Sequence, residues 1–187
     1  NWTQSNITND DFRSVYYGND IWVAASYKNG LYYSTDGIIW TKSNIAQTGF
    51  QCVYCSNGIW VAGSATGKGL YYSTNGMTWT QSNITSNIFK SVYYGNNIWV
   101  ACSFSDKGLY YSADGMVWTQ SNITSGNFQY VYYSNSIWVV ASYNEGIYYS
   151  TSDIGKVLTI DSTGEWVASE PPHSGSAVQI LTWEVTD

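Results

Sequence analysis

The sequence predicts an all-β chain made of four repeats, each about 39 residues long and each with four short strands. Its composition favours strands, because 10 Trp and 18 Tyr stand against 2 Pro in 187 residues. An Ile-Trp pair recurs at a nearly constant spacing, with its tryptophans at Trp22, Trp60, Trp99 and Trp138. A second motif, WT[QK]SNI, recurs in step with it and starts at Trp2, Trp40, Trp79 and Trp118.

Each repeat carries four segments of strand character. In the first repeat they read FRSVYY, IWVAAS, GLYYS and IIWTKS. Each is rich in Val, Ile, Tyr or Trp and is bounded by Gly, Asn, Asp or Ser. Four strands in about 39 residues is the size of one blade of a β-propeller. The sequence therefore predicts a β-propeller-like array over residues 1–150.

A hairpin pattern precedes the last strand of three repeats and reads STDGIIW, STNGMTW and SADGMVW. Gly37 can take the positive φ that a tight turn needs, and Ser34 and Asp36 can bond nearby backbone N–H groups. Trp40 then starts the outer strand, where it can lie over the hairpin. The pattern predicts a structural pin at the edge of each blade.

This pattern, S-x-[DN]-G-x-x-W, resembles the Asp-box of sialidase-like propellers. It is one residue shorter than the S-x-D-x-G-x-x-W of that family, and Asn75 replaces Asp in the second copy. The fourth repeat departs from it, since no Trp follows IYYSTSDIGKV. The resemblance implies the propeller architecture and a structural role for the hairpin.

The ends of the repeat array suggest how a ring could close. The chain starts with an orphan outer strand, NWTQSNI, and its fourth repeat has three strands. We expect residues 1–7 to supply the missing strand, with Trp2 beside Ile147–Ser150, because this removes both sheet edges. The alternative is that the chain is a piece of a longer array of blades.

Residues 151–187 form a separate β appendage in this prediction. KVLTIDSTGEWVAS is typical of a hairpin turning at Ser162-Thr163-Gly164, Pro171-Pro172 breaks the pattern, and AVQILTWEV is typical of a final strand. GKVLTIDSTGEWVASEPP resembles the short connectors near the ends of bacteriophage tail fibres. That resemblance implies a virion protein that can form homo-oligomers through this segment; an ordinary β appendage stays equally open.

Composition and charge remove several function classes. The net charge is −6, and Arg13 is the one arginine, so the sequence predicts no basic patch for nucleic acid. No apolar run reaches membrane-spanning length, which argues against membrane insertion. No cofactor or metal motif is present in the sequence, and the single histidine, His173, follows the Pro-Pro break.

The three cysteines are predicted to be buried fillers. Cys52 and Cys55 alternate along one strand, so their thiols face opposite sides and cannot bind one metal or form one disulfide. Cys102 stands where other repeats carry Ala or Gly.

The acidic residues favour a protein without catalytic activity. Sialidases use three arginines and a tyrosine nucleophile, and this chain has one arginine. Glycoside hydrolysis needs two carboxylates in one cleft, whereas Asp36 and Asp114 lie in predicted turns and Asp10-Asp11 is typical of a solvated turn. We predict no enzyme; a glycoside hydrolase relative is the alternative.

The connections between the second and third strands differ most among the repeats, reading SYKNG, SATGKG, SFSDKG and SYNEG. We expect them to share one face with the segments that follow WTQSNI. Exposed aromatic rings beside amide and charged groups suit stacking on sugars and bonding to their hydroxyls. The predicted ligand-binding residues are Tyr27, Lys28, Asn29, Lys68, Phe104, Asp106, Lys107, Tyr143, Asn144 and Glu145.

These features predict a recognition module on a virion or on an extracellular cell surface. Its expected partner is a glycan or a host cell-surface receptor, as for a phage tail protein or an adhesin. A purely structural or assembly role in a virion remains the third possibility.

Overall fold

The computed structural model describes residues 1–47 and 49–150, together with two backbone strands at 157–160 and 166–169. These residues form an all-β fold, which confirms the predicted fold class. The chain divides into two compact units, residues 1–151 and residues 152–187. Among the described residues, no helix is long and apolar enough to cross a membrane.

The first unit contains four antiparallel sheets, one for each repeat, which we call blades 1 to 4. Blade 1 contains β1 (Phe12–Gly18), β2 (Ile21–Ser26), β3 (Gly30–Ser34) and β4 (Thr41–Lys42). Blade 2 contains β5 (Phe50–Ser56), β6 (Ile59–Ser64), β7 (Leu70–Ser73) and β8 (Thr80–Gln81). Blade 3 contains β9 (Ile88–Gly95), β10 (Ile98–Phe104), β11 (Leu109–Ser112) and β12 (Thr119–Gln120). Blade 4 contains β13 (Phe128–Ser134), β14 (Ile137–Ser142) and β15 (Ile147–Ser150).

In the second unit, β16 (Val157–Ile160) pairs antiparallel with β17 (Trp166–Ser169). This is the hairpin that the sequence predicts on either side of Ser162-Thr163-Gly164. The predicted final strand and His173 lie outside the described residues.

Tight turns join the first and second strands of each blade. Asn19 and Asp20 both have positive φ, as do Asn96 and Asn97 in blade 3. Two successive residues of positive φ fit the type I′ turn, whose twist matches that of the paired strands. The Asn-rich turns of the sequence therefore fix the register of these hairpins.

The S-x-[DN]-G-x-x-W hairpin is held by hydrogen bonds to one side-chain oxygen. Asp36 Oδ1 accepts from the N–H of Ile38 at 2.8 Å and of Ile39 at 2.9 Å. Asn75 Oδ1 accepts two N–H groups in the same way in blade 2. Only an acceptor oxygen is used, which explains why Asn can replace Asp here.

The tryptophan of this hairpin lies over it as predicted. Its indole N–H donates to the glycine carbonyl of the turn, Trp40 to Gly37 at 3.2 Å and Trp79 to Gly76 at 3.0 Å. The same bond recurs from Trp118 in blade 3. The hairpin is thus a repeated structural element.

The core lies between blades rather than within one blade. We call the side of a blade that packs on the following blade its trailing face, and the opposite side its leading face. Ile21, Val23 and Leu31 on the trailing face of blade 1 pack with Val53 and Trp60 on the leading face of blade 2. Blades 2 and 3 repeat this arrangement.

A ladder of stacked tyrosines also links the four blades. Ring centroids are 4.5 Å apart between Tyr16 and Tyr54, 4.9 Å between Tyr54 and Tyr93, and 4.6 Å between Tyr93 and Tyr132. Each blade therefore makes the same contact with its neighbour.

The cysteines occupy the predicted buried positions. Cys52 belongs to the core between blades 2 and 3, whereas Cys55 belongs to the core between blades 1 and 2. The two thiols therefore face opposite sides of β5, as the alternation predicts. Cys102 is also free and buried.

The predicted closure of blade 4 by residues 1–7 is not what the structure shows. Trp2 is fully exposed, at 103%, and the sheet of blade 4 consists of β13, β14 and β15. Instead, the Asn6 side chain bonds both backbone groups of Trp40, at 2.8 and 2.9 Å. Asn83 ties the segment after blade 2 to Trp118 of blade 3 in the same way. Because the first three SNI segments bind the blade that follows them, residues 1–7 are held beside blade 1, and the array of described strands stays open.

Candidate functional site

The variable connections between the second and third strands lie along one edge of the array. We call this edge, formed by residues 27–29, 65–69, 105–108 and 143–146, the loop edge. The segments that enter each blade meet it there, because Tyr27 N–H donates to Asp11 C=O and Tyr143 N–H donates to Asn127 C=O, both at 2.8 Å. The predicted sharing of one face is therefore present.

A buried serine at the end of the second strand shapes these connections. Ser26 Oγ accepts from the N–H of Lys28 at 3.0 Å and of Asn29 at 2.9 Å. Ser64 Oγ accepts from Lys68 N–H at 3.2 Å in blade 2. The equivalent serines of blades 3 and 4 donate to backbone carbonyls instead, Ser103 to that of Phe104 and Ser142 to that of Asn127. The constant serine therefore holds each connection by its own set of bonds.

The three predicted aromatic residues form two patches rather than a continuous ring. Phe104 and Tyr143 contact each other edge-on, with ring centroids 6.4 Å apart. Tyr27 lies on blade 1, and blade 2 carries Ala65 at the equivalent position. The aromatic face is therefore concentrated on blades 3 and 4.

Two cations pack against these rings. Lys90 Nζ lies 5.1 Å from the centroid of Phe104, and the Arg13 guanidinium lies 5.3 Å from that of Tyr27. Tyr143, which is 69% exposed, has no such cation over its ring among the described contacts. It is therefore the most accessible stacking surface on the loop edge.

Two acidic residues of the predicted set are held by hydrogen bonds. Asp106 Oδ1 accepts from Gly126 N–H at 2.6 Å, and Asp106 N–H donates to Asn127 Oδ1 at 3.0 Å. Glu145 accepts the Tyr148 hydroxyl at 2.9 Å, and this bond raises the pKa of Tyr148. These bonds tie the Asp106 carboxylate to the segment before blade 4 and the Glu145 carboxylate to β15.

The other predicted polar residues stand at the rim of the loop edge. The backbone carbonyls of Lys68 and Lys107 accept the side-chain amides of Gln81 and Gln120 at 2.8 and 2.9 Å. The side chains of four residues of this group are exposed, namely Lys28, Lys68, Lys107 and Asn144, while Asn29 is half-buried. Cationic and amide donors thus surround the aromatic patches.

The predicted solvated turn at Asp10-Asp11 is an anchored segment in the structure. Asp10 accepts hydrogen bonds from the Ser26 hydroxyl and from the Asp11 N–H, the latter at 2.8 Å. Burial alone would raise the pKa of Asp10, but bonds from Ser26, the Asp11 N–H, Asn29 and Tyr32 together lower it. In blade 3, Asn87 takes the same position and bonds Tyr110 at 2.9 Å. The repeat therefore gives Asp10 a structural role.

Sequence reasoning missed Arg13, Lys90 and Asn127, which contact the predicted residues. Arg13 and Lys90 occupy the second position of FRS and FKS, where the other repeats have Gln51 and Gln129. The signal in the sequence is that this position changes within an otherwise constant strand. The position lies on β1 and β9, outside the connections between the second and third strands that contain the predicted site residues.

Within the part of the chain that the structure describes, no group of three His, Cys, Asp or Glu side chains could hold a metal ion. Burial raises the pKa of Cys52 to about 12 and of Cys55 to about 11. Both therefore remain protonated thiols at neutral pH.

No protein-family model matches the chain, and no curated protein matches it. Solved structures with a similar fold include the computationally designed Ika4 protein, at a TM-score of 0.63 and 9% identity over 79% of this chain and 94% of that chain. The β-propeller domain of Cps50 (Swd1) from Myceliophteria thermophila has a TM-score of 0.55 and 8% identity over 74% of this chain. YCF48, in a structure with a bound peptide, has a TM-score of 0.55 and 13% identity over 92% of this chain. This chain spans 52% of the Swd1 chain and 57% of the YCF48 chain. The described array thus has the fold of β-propeller proteins.

Proposed function

We propose that the protein is a non-catalytic recognition module that binds a glycan or cell-surface ligand along the loop edge. The observation that carries this proposal is the contrast between constant strands and connections that differ in every repeat and share one edge. Constant strands hold the loops in place, and loops on a rigid scaffold are where binding residues concentrate. A virion or an extracellular surface is the setting that we propose for it.

The chemistry of blades 3 and 4 suits a sugar ring. The exposed Tyr143 can stack on the apolar face of a pyranose, and Phe104 supports it from the side. Lys107 and Asn144 stand on the adjoining loops and can bond hydroxyl or carboxylate groups. Because Lys90 lies over Phe104, we expect Tyr143 to contribute more to binding than Phe104.

The absence of catalysis is proposed from the roles of the acidic residues. Asp36 and Asp114 accept backbone N–H groups in their hairpins, and Asp10 anchors the entry to blade 1. Carboxylates engaged in this way support the Asp-box resemblance, in which the hairpin is structural. The tail-fibre resemblance falls on residues 151–187, most of which lie outside the described residues.

A glycan array tests the proposal with the purified full chain. We expect the triple variant Tyr27→Ala, Phe104→Ala, Tyr143→Ala to lose binding while its melting temperature stays within a few degrees. Val117→Ala is the matched control, because Val117 is exposed on a hairpin away from the loop edge.

Two outcomes would overturn the proposal. Binding that survives in the triple variant would remove the loop edge as the site. Turnover of any bound glycan, lost on Asp10→Asn or Glu145→Gln, would show an enzyme.

A further inference from the structure

The two ends of the array expose surfaces that the inner blades bury. On the trailing face of blade 4, Ile147 is 74% exposed, whereas its counterparts Leu31 and Leu70 are fully buried. The exposed apolar residues of this face are Tyr130, Tyr132, Ile137, Val139, Ile147 and Tyr149. Such a large exposed apolar surface is unusual for a monomeric protein.

The leading face of blade 1 is exposed in the matching way. Val15 is 56% exposed, whereas Val53 and Val92 in the next two blades are 4% and 5% exposed. A pocket of about 420 Å³ opens beside it, lined by Ile7, Trp40 and other residues of this face. This is the place that a preceding blade would fill.

The backbone shows the same mismatch at the two ends. Among the described residues, the sheet of blade 4 has three strands and ends at β15. Residues 1–7 carry the WTQSNI motif of a fourth strand but pair with no strand, and Trp2 lies in solvent. Among the described residues, the fourth-strand motif at residues 1–7 thus belongs to no sheet, and the sheet of blade 4 has no fourth strand.

Asn122 marks the same vacant position. Its counterparts Asn44 and Asn83 bond the backbone of Trp79 and Trp118 in the following blade. In the fourth repeat no tryptophan follows the hairpin. By repeat position, the residue that corresponds to Trp79 and Trp118 for Asn122 is a Trp that begins WTQSNI, and Trp2 is such a residue.

We propose that a second copy of this chain docks head to tail, its blade 1 on blade 4 of the first copy. Residues 2–4 of the second copy then add to β15 as the fourth strand of that blade. Since Tyr33, Tyr72 and Tyr111 each pair with a threonine of the fourth strand, Tyr149 pairs with Thr3 of the second copy. Asn122 bonds the backbone of Trp2 of the second copy.

A second copy fits because the interface already exists between the inner blades of this chain. Tyr54 stacks on Tyr93 and meets Trp99 edge-on at 6.0 Å; Tyr132 makes the equivalent contacts with Tyr16 and Trp22 of the second copy. Asn6 keeps its bond to Trp40 throughout. Docking therefore needs no rearrangement of residues 1–7.

The number of blades points to two copies. A head-to-tail contact closes into a ring or grows into a filament. Propellers commonly have four to eight blades, and two copies of an open four-blade array supply eight. Both ends of the described four-blade array are then covered in each copy.

Sedimentation velocity of the full chain tests this. We expect a dimer near 42 kDa, twice the chain mass of 20.9 kDa, and we expect Ile147→Asp or Val15→Asp to give a monomer by placing a charge in the contact. Val117→Asp is the matched control, because Val117 is equally exposed but lies on an inner blade; it should stay dimeric. Circular dichroism should show that all three variants remain folded.

Mixing the two monomeric variants identifies the head-to-tail geometry. Each variant retains one intact face, so an equal mixture should form a heterodimer that neither variant forms alone. A wild-type monomer, a dimer that survives either substitution, or polymers that grow with concentration would overturn the two-copy ring. A dimer held instead by residues 151–187 would appear as survival in both variants.

A disulfide tests the strand exchange. In the double variant Thr3→Cys, Tyr149→Cys, the paired positions should cross-link two chains on oxidation, because opposed residues of an antiparallel pair lie within disulfide reach. The native cysteines are buried, and the Thr41→Cys, Tyr149→Cys control should give no cross-linked dimer. A chain that dimerises without the expected cross-link would overturn the strand exchange.

Discussion

The inner blades, 2 and 3, have nearly the same residues as the outer blades, 1 and 4. The side chains of the two groups nevertheless lie in different environments. Trp60 in blade 2 is fully buried, whereas the equivalent Trp22 in blade 1 is partly exposed. Val61 is fully buried, whereas Val139 in blade 4 is 40% exposed. The same side chain thus belongs to a core or to a surface according to whether another blade packs on its face, a preceding blade for the tryptophan and a following blade for the valine.

This difference teaches that a single blade is not a folding unit with its own core. A four-stranded sheet one layer thick buries apolar side chains only against a neighbouring sheet. The inner blades have two neighbours, and the outer blades have one. Association with another sheet would therefore gain most of its free energy by burying the apolar side chains of the outer faces.

The largest expected effect comes from removing equivalent tryptophans from an inner and an outer blade. In a chain kept monomeric by Ile147→Asp, Trp60→Ala should lower the free energy of unfolding by about 3–5 kcal/mol through the cavity it leaves. Trp22→Ala should cost only about 1–2 kcal/mol, because part of its surface already meets water. Urea denaturation measures both, and equal losses would contradict the comparison.

A smaller effect is expected from the asparagines that tie consecutive blades together. Asn83 makes two hydrogen bonds to the backbone of Trp118, both at 2.8 Å, so Asn83→Ala should cost about 1–3 kcal/mol. Asn122→Ala, in the same monomeric background, should change stability by about 0.5 kcal/mol or less. Equal costs in urea denaturation would show that Asn122 already has a strong partner within one chain.

The hairpins of blades 1 and 2 should differ in their response to acid. Backbone N–H groups of Ile39 and Ile38, followed by the Ser34 hydroxyl, lower the pKa of Asp36 below its usual 3.8. The folded carboxyl binds its proton more weakly than the unfolded one, so its contribution is complete above the unfolded pKa and is lost as pH falls through the folded pKa. Asp36→Asn should therefore flatten the acid limb of the thermal stability curve, and Asn75→Asp should steepen it. Thermal midpoints measured from neutral to strongly acidic pH test both directions.

The smallest effect on stability is expected on the loop edge. Tyr143→Ala should alter the free energy of unfolding by about 0.5 kcal/mol or less, since its ring is mostly in solvent. Tyr71→Ala, at a buried position of the inner blade, should cost several times more in the same urea titration. A large loss from Tyr143→Ala would mean that this ring supports the blade rather than a ligand.

Much of the fold was predictable because local rules decide it. Asn-Asp and Asn-Asn turns fix the hairpins, and the alternation of β5 places Cys52 and Cys55 on opposite sides. The roles of Asp36 and Trp40 followed from the hairpin pattern, which acts over seven residues. The loop edge was also foreseen, as the connections it contains are the variable part of the repeat.

The candidate site was predicted less completely, because its contacts cross between strands. Arg13 and Lys90 reach the aromatic rings from β1 and β9, and Ala65 interrupts the aromatic row. Asp10 was expected in solvent, but Ser26 and Tyr32 surround it. None of these neighbours is close to its partner in the sequence.

The sequence by itself determined the repeat, its strands and the hairpin that ends each blade, since these depend on residues a few positions apart. Only the tertiary structure decided that the array is open. That outcome depends on which blade receives residues 1–7, and the bond between Asn6 and Trp40, 34 residues away, assigns them to the first. A repeat pattern is the same at every copy, so it cannot distinguish an inner face from an end; the distinction arises from the presence or absence of a neighbouring sheet.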